Sequence, residues 1–366
     1  MRAKVDAREF IQALDKVSDL IRKSTIPALT TVLVRFETDQ CTLTSTNLDS
    51  YLSIKLPAEG GDFAFLLGRP KETSRAFRQF DGELLLEQTE TGEGAKRRIT
   101  LVLSCGPRSA ELFPFLPEDF PEQQEWEPKH TFTTNAAQLY RRVERVKYAT
   151  ALPSPEDHRA CRTSVHFSGD RIYTVDGYRL SCDSDPGLTV PVPFMAAPQA
   201  LSHLKLFGDQ DVTFHLGQRY AMATDGTMTL TFRLPEGELF KLDSAIPNSF
   251  QAEFEVYPKE FLNELDYLKR ALRGKTHHAV RFSNGNLLAA SQGERYASRV
   301  QTGGNADVTF GFTLDYMVDA LKQFEKESAV RMKLTSPAGP LIIEPYGRND
   351  YALVMLVRIR DGSMAA

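Results

Sequence analysis

The chain has 366 residues, 42% hydrophobic and 25% charged, with a formal net charge of −4. This is the composition of an ordinary soluble protein with room for two or three domains, and no apolar run approaches the ~20 residues of a membrane span. The acidic balance argues against a surface that coats nucleic acid everywhere, while leaving room for local basic faces. MRAKVDAREF at the N-terminus has acids among its first ten residues and no apolar run, which is not the pattern of a signal peptide.

In chain order, the spacing predicts a helix near Ala7–Ile21, with Phe10, Leu14, Val17, Leu20 and Ile21 as its apolar stripe. Alternating strands follow from Thr30 to Leu56, around a turn at Thr38–Gln40, and a second helix lies near Lys71–Phe80. GELLLEQTE and RRITLVLSC read as a hairpin around Thr91–Ala95, where Gly92 and Gly94 are turn residues. The proline-rich FPFLPEDFPEQQEWEPKH is a candidate linker. The order then repeats: a helix near Asn135–Tyr148, strands through RTSVHFSGDRIYTVDGYRLSCDS, a second helix near Pro198–Phe207, further strands, and a second linker, PEGELFKLDSAIPNSF. It repeats again, with helices near Tyr257–Leu272 and Asp315–Phe324 and strands ending in YALVMLVRIR, which can be a core strand.

The first helices begin at 7, 135 and 257, and the second at 71, 198 and 315. Segments of ~120 residues are large enough to be domains rather than solenoid repeats. The expected fold class is therefore α+β: three similar domains over 1–122, 129–248 and 252–360, each with two helices on antiparallel sheets, and a loose tail over 361–366.

A search for catalysis is thin. His130, His158, His166, His203, His215, His277 and His278 form no ligand pattern, and the adjacent His277–His278 pair would diverge rather than chelate. Cys41, Cys105, Cys161 and Cys182 show no CxxC spacing and read as buried free thiols of a reducing cytoplasm. No nucleophile elbow, phosphate loop or zinc-protease motif is present. No metal, cofactor or enzymatic activity is expected. The basic residues are more informative. Arg141, Arg142, Arg145 and Lys147 outnumber Glu144 on one first helix, and Arg22 and Lys23 end another. Arg270 and Arg273 sit at the end of the third, and Arg75 and Arg78 lie three apart on a second helix. Each cluster alone is a solvated helix face; recurrence in corresponding helices raises a common polyanion-facing surface.

STIPALTTVLVRFETDQCTLTSTNLDSYLSIKL, FLPEDFPE, TVDGYRLSCDS, GFTLDYMVDALKQFEKESAVRMKL and ALVMLVRI, in this order and over almost all of residues 1–360, resemble the bacterial sliding clamp family, the beta subunit of DNA polymerase III. The resemblance implies a head-to-tail homodimeric ring, cytoplasmic and without a membrane segment, that encircles duplex DNA regardless of sequence and binds DNA polymerase and clamp loader through short peptide motifs. The DNA-facing candidates are then Lys23, Arg75, Arg78, Arg141, Arg142, Arg145, Arg270 and Arg273. The dimer interface would include Glu111, Leu112, Phe113 and Leu272. The peptide groove would be built from Val175, Gly177, Tyr178, Arg179, Leu180, Phe240, Ser244, Ala245, His277, Tyr316, Leu353, Met355, Leu356, Val357 and Arg358, with Arg179 and Arg358 meeting polar groups at the rim. Phe240 and Ser244 stand where the family usually has proline and arginine, His277 replaces a common aromatic residue, and Arg162 a common apolar one. The alternative is a clamp-like paralogue that binds proteins with weak or no DNA encirclement.

Overall fold

The computed structural model describes residues 1–92, 97–154, 159–272, 278–291 and 294–358. The predicted turn at Thr91–Ala95 lies partly outside them, and the tail over 361–366 wholly outside.

Each long helix forms where its sequence supplies both a start signal and an apolar stripe. Helix Ala7–Val17 is capped by Asp6, whose carboxylate accepts the Glu9 N–H at 2.9 Å, and it buries Phe10, Ile11, Leu14 and Val17. Helix Ala136–Val146 follows Asn135, whose side-chain oxygen accepts the Gln138 N–H at 3.0 Å, and it buries Leu139, Val143 and Val146. Helix Pro258–Ala271 begins with a proline, whose missing N–H has no intrahelical partner to lose, and it buries Phe261, Leu265 and Leu268. The second helix of each segment is shorter than the periodicity suggests. The first is α-helical over Pro70–Ala76 only, so Arg78 lies beyond its end. The next is α-helical over Pro198–Leu201 and continues as a 3-10 turn over Ser202–Phe207. The third spans Leu314–Lys322.

The chain divides into two compact units, Met1–Tyr140 with Gln199–Leu234 and Arg141–Pro198 with Pro235–Ala366. These cut across the segments read from the sequence, and strand pairing is the reason. In the first unit one antiparallel sheet runs in the order Arg108–Leu112, Arg98–Cys105, Glu83–Thr91, Arg2–Asp6, Ser50–Glu59, Met228–Arg233, Tyr220–Thr224, Asp211–Leu216 and His130–Asn135. Strands Thr31–Glu37, Gln40–Thr46 and Phe63–Gly68 branch from it. Ser50–Glu59 thus joins a strand from far along the chain, with Leu52 opposite Leu230. In the second unit the same move pairs Arg179–Ser184 with the C-terminal strand Tyr351–Met355, Leu180 opposite Leu353. That sheet continues through Pro340–Pro345, Val330–Leu334 and Ala252–Val256. Its core packs Phe254, Phe261, Phe282, Phe310 and Phe312 with the helices Pro258–Ala271 and Leu314–Lys322. No helix of the described residues is long and apolar enough to cross a membrane.

Candidate functional site

The face of the second unit's sheet that turns away from this core carries an apolar cluster of its own. Val175 pairs with Leu180, Leu180 with Leu353, and Leu353 with Ile342; one row along, Tyr173 pairs with Cys182 and Cys182 with Tyr351. Side chains alternate across a strand, so these residues share one face. Tyr173, Val175, Leu180, Cys182, Leu242, Ile342 and Leu353 form the buried floor, and Phe240, Ala245, Ile246, Phe250, Tyr351 and Met355 pack against it partly buried. The segment Phe240–Phe250, read from sequence as a linker, is therefore one wall. Tyr173 ties it down, its hydroxyl donating to the Phe240 carbonyl at 2.8 Å, and burial pushes that phenol up to about 12. Ser244 is exposed on this wall. Tyr173 and Cys182 were legible by period-two alternation from Val175 and Leu180; Leu242 and Ile342 carry no local signal, because only the fold brings them there.

Several expected members sit elsewhere. Leu356 is 7% exposed and points into the main core, on the opposite face from Leu353, so it is not a groove residue. Val357 is half-buried, its N–H donating to the Gly311 carbonyl at 2.8 Å, and Arg358 is exposed. Arg179 is not at the disposal of a ligand. Its guanidinium donates to Asp176 at 2.9 Å and to Asp319 at 2.5 Å, and it lies 4.5 Å from the centre of the Tyr316 ring. Tyr178, 59% exposed, stacks on Tyr316 with ring centres 5.9 Å apart. Gly177 has φ +95°, and a Cβ built there would stand 2.9 Å from the Arg162 guanidinium carbon, so glycine fits both demands. His277 lies outside the described residues.

The basic residues divide in the same way. Lys23, Arg75, Arg78 and Arg141 are exposed. Arg270 is exposed and pairs with Asp266 at 2.7 Å. Arg142 is a correction: its side chain is 11% exposed and it is ion-paired with the buried Asp183. Arg145 binds Asp183 at 2.7 Å and Asp350 at 3.1 Å, so it too is spent on internal acids. Arg273 lies outside the described residues.

Of the expected interface residues, Glu111 and Leu112 belong to strand Arg108–Leu112 at the open edge of the first unit's sheet, and Phe113 follows it, 73% exposed. A cavity of about 450 Å³ lies beside them, lined by Arg69, Thr73, Phe77, Leu112, Phe113 and Phe115 among others. Leu272 is a second correction: at 3% exposure it belongs to the core of the second unit and offers almost no surface. Among the described residues no group of histidines, cysteines and acids is arranged to hold a metal.

Residues 244–358 match the family described as DNA polymerase III beta subunit, C-terminal domain. The chain is 22% identical to the beta sliding clamp of Pseudomonas aeruginosa, over 97% of this chain and 99% of that protein. It is 21% identical to the beta sliding clamp of Rickettsia bellii, with the same coverage. The fold matches the crystal structure of the DNA polymerase III subunit beta from Pseudomonas aeruginosa with a TM-score of 0.82 at 20% identity, covering 98% of this chain and 100% of that one. The beta subunit from Streptococcus pyogenes matches with a TM-score of 0.81 at 18% identity, with the same coverage. Residues 244–358 thus match the C-terminal domain of the DNA polymerase III beta subunit, and nearly the whole chain is similar in sequence, at low identity, and in fold to the bacterial beta sliding clamps.

Proposed function

We propose that the protein is a non-catalytic processivity clamp: a head-to-tail dimer of three-domain chains that encircles duplex DNA and tethers polymerase and other partners by short peptides. The observation that carries the tethering role is the apolar floor of Tyr173, Val175, Leu180, Ile342 and Leu353, walled by Phe240, Ala245 and Met355. A sheet face built from four strands drawn from two distant parts of the chain, with a partly buried rim, suits one or two apolar anchors of an extended peptide. Tyr178, stacked on Tyr316, accepts the Met355 N–H on its carbonyl at 2.8 Å, which puts an exposed aromatic ring next to the Met355 wall.

Ring closure is supported by the free edge at Arg108–Leu112 with the exposed Phe113, and by a second free edge, strand Glu294–Arg299, in the second unit. Two different edges on one chain favour a heterologous, head-to-tail contact that closes when made twice. DNA would be held by Lys23, Arg75, Arg78 and Arg141 through phosphate attraction alone. One observation favours the alternative, a clamp-like interaction module with weak encirclement: Arg142 and Arg145 are consumed by Asp183 and Asp350, which leaves fewer charges for DNA. Titration of a fluorescein-labelled peptide bearing leucine and phenylalanine anchors, followed by anisotropy, tests the tethering role. Saturable binding that weakens in Met355→Ala is the expected result, and no saturation overturns it. Light scattering at micromolar concentration separates the two readings, since a ring requires a dimer.

A further inference from the structure

The groove-bearing sheet of the second unit has a counterpart in the first, residue by residue. Strand Gln40–Thr46, the turn Asn47–Asp49 and strand Ser50–Glu59 reproduce strand Arg171–Val175, its turn and strand Arg179–Ser184. Thr46 pairs with Tyr51 as Val175 pairs with Leu180. The turns share a left-handed residue, Leu48 at φ +75° and Gly177 at φ +95°. The Asn47 side-chain oxygen accepts the Ser50 N–H at 2.7 Å, as the Asp176 carboxylate accepts the Arg179 N–H at 2.7 Å. The Ser45 hydroxyl donates to the last residue of the preceding helix, Val17, at 2.6 Å, and Thr174 does the same to Val146 at 2.5 Å. Tyr51 then stands where Leu180 stands, and its cross-strand neighbour Thr231 where Leu353 stands. Each face is overhung by the segment that follows: Tyr51 donates to the Glu122 carbonyl at 3.1 Å, as Tyr173 donates to that of Phe240.

Under the first unit's overhang lies a cavity of about 570 Å³, lined on its apolar side by Leu33, Tyr51 and Phe120. That volume is in the range of pockets that hold a ligand side chain or a small peptide. The polar lining differs from the second unit's groove. Thr44 and Ser53 present hydroxyls 3.0 Å apart, and Arg35 stands exposed at the mouth. Along the same row of the sheet, Arg35 opposes Thr42 and Thr42 opposes Lys55, which is also exposed. Neither cation is ion-paired among the described residues, whereas the nearby Glu118 is already matched by Arg97 at 2.7 Å. Glu122 is the other acid lining the cavity, and the exposed Asp119 of the same segment is not among its lining residues.

We propose that this cavity is a second peptide-docking site, taking an extended segment of a partner protein with one aromatic or leucine anchor against Tyr51 and Phe120 and a carboxylate on Arg35. It rests on the peptide-groove reading for its chemistry, since the equivalence of the two faces is what identifies the ligand class. Charge complementarity selects an acidic segment, because the sheet side of the cavity carries unmatched positive charge.

The test uses the full chain and a fluorescein-labelled hexapeptide containing leucine, aspartate and a photoreactive benzoylphenylalanine, with crosslinks mapped by mass spectrometry. Two adducts per chain are expected, one within 31–66 or 116–123 and one within 173–182, 240–250 or 340–357. Arg35→Glu, at an exposed position, should weaken only the first by roughly three- to ten-fold, the scale of one surface charge pair lost and then opposed. Replacing the peptide's aspartate by asparagine should do the same, and Met355→Ala should weaken only the second. Adducts confined to the second region overturn this inference and leave the groove reading standing. Adducts confined to the first sustain it and overturn the groove reading. No saturable crosslinking overturns both.

Discussion

Asp183, 3% exposed, is the point on which two guanidiniums converge, Arg142 with 11% of its side chain exposed and Arg145 with 39%. Removing one member of such a group leaves uncompensated charge away from water, so Asp183→Ala is expected to destabilise the protein by about 3–5 kcal/mol in urea unfolding. Arg142→Ala should likewise show itself as lost stability and leave the salt dependence of DNA binding unchanged; the reverse pattern would return Arg142 to the DNA surface. Two histidines carry a pH dependence. Burial holds His166 and His203 below the ordinary 6.5, outweighing the opposing effect of the hydrogen bonds that their rings make to the Cys161 carbonyl and the Asp19 carboxylate respectively. Lys205, 3.3 Å from Asp19, and Arg22 also disfavour a charged His203. As pH falls below 6.5 the unfolded chain takes up protons that the folded chain does not, so stability present at neutral pH is lost through that window. Urea midpoints should be lower at about pH 5 than at about pH 7.5, and the drop should shrink in a double His166→Gln, His203→Gln variant. Equal midpoints at both pH values would contradict it.

At the scale of elements, the C-terminal strand serves two surfaces at once. Leu353 and Met355 face the apolar floor, while Ala352, Val354 and Leu356 face the main core. Deleting the chain from Met355 onward would therefore remove core as well as groove, and Met355→Ala is the cleaner probe. Removing a partly buried anchor contact is expected to weaken peptide binding by about 1–2 kcal/mol with little loss of folding stability. Anisotropy and urea unfolding on the same variant separate the two effects. The helix ends and turns that carry Lys23, Arg75, Arg78 and Arg141 make a different prediction. Neutralising all four should lower DNA affinity at low salt and flatten its salt dependence, equally for any sequence. An unchanged slope on nicked circular DNA would remove these residues from the interface.

For the whole molecule, the prediction is a dimer in solution, and the structure identifies which residue tests it. Phe113 is 73% exposed at an open sheet edge, so Phe113→Asp should yield a folded monomer by light scattering. Leu272→Asp, by contrast, should unfold the second unit, because it puts a charge where Phe261, Leu265 and Leu268 pack. A variant at Phe113 that remains dimeric would move the interface elsewhere.

Much of the architecture is written in local pattern. Helical periodicity located Ala7–Val17, Ala136–Val146 and Pro258–Ala271 within a few residues, because an amphipathic stripe and its cap are both near in sequence. Alternation marked the strands Arg171–Val175 and Arg179–Ser184, whereas Val175 and Leu180 were named as groove residues by the resemblance to the clamp family, to which the order of motifs pointed. Charge alone did not say where a cation points: Arg141 and Arg142 are neighbours, yet one meets solvent and the other Asp183, because a helix turns about 100° per residue and only packing decides which face is covered. Nor does local pattern announce that Ser50–Glu59 and Arg179–Ser184 each pair with a strand more than 160 residues away, joining segments that looked independent. Strand pairing is non-local by nature. It is what turns two linkers into the walls of two clefts and sends Leu356 into the core, while the packing of helix Pro258–Ala271 against that core buries Leu272.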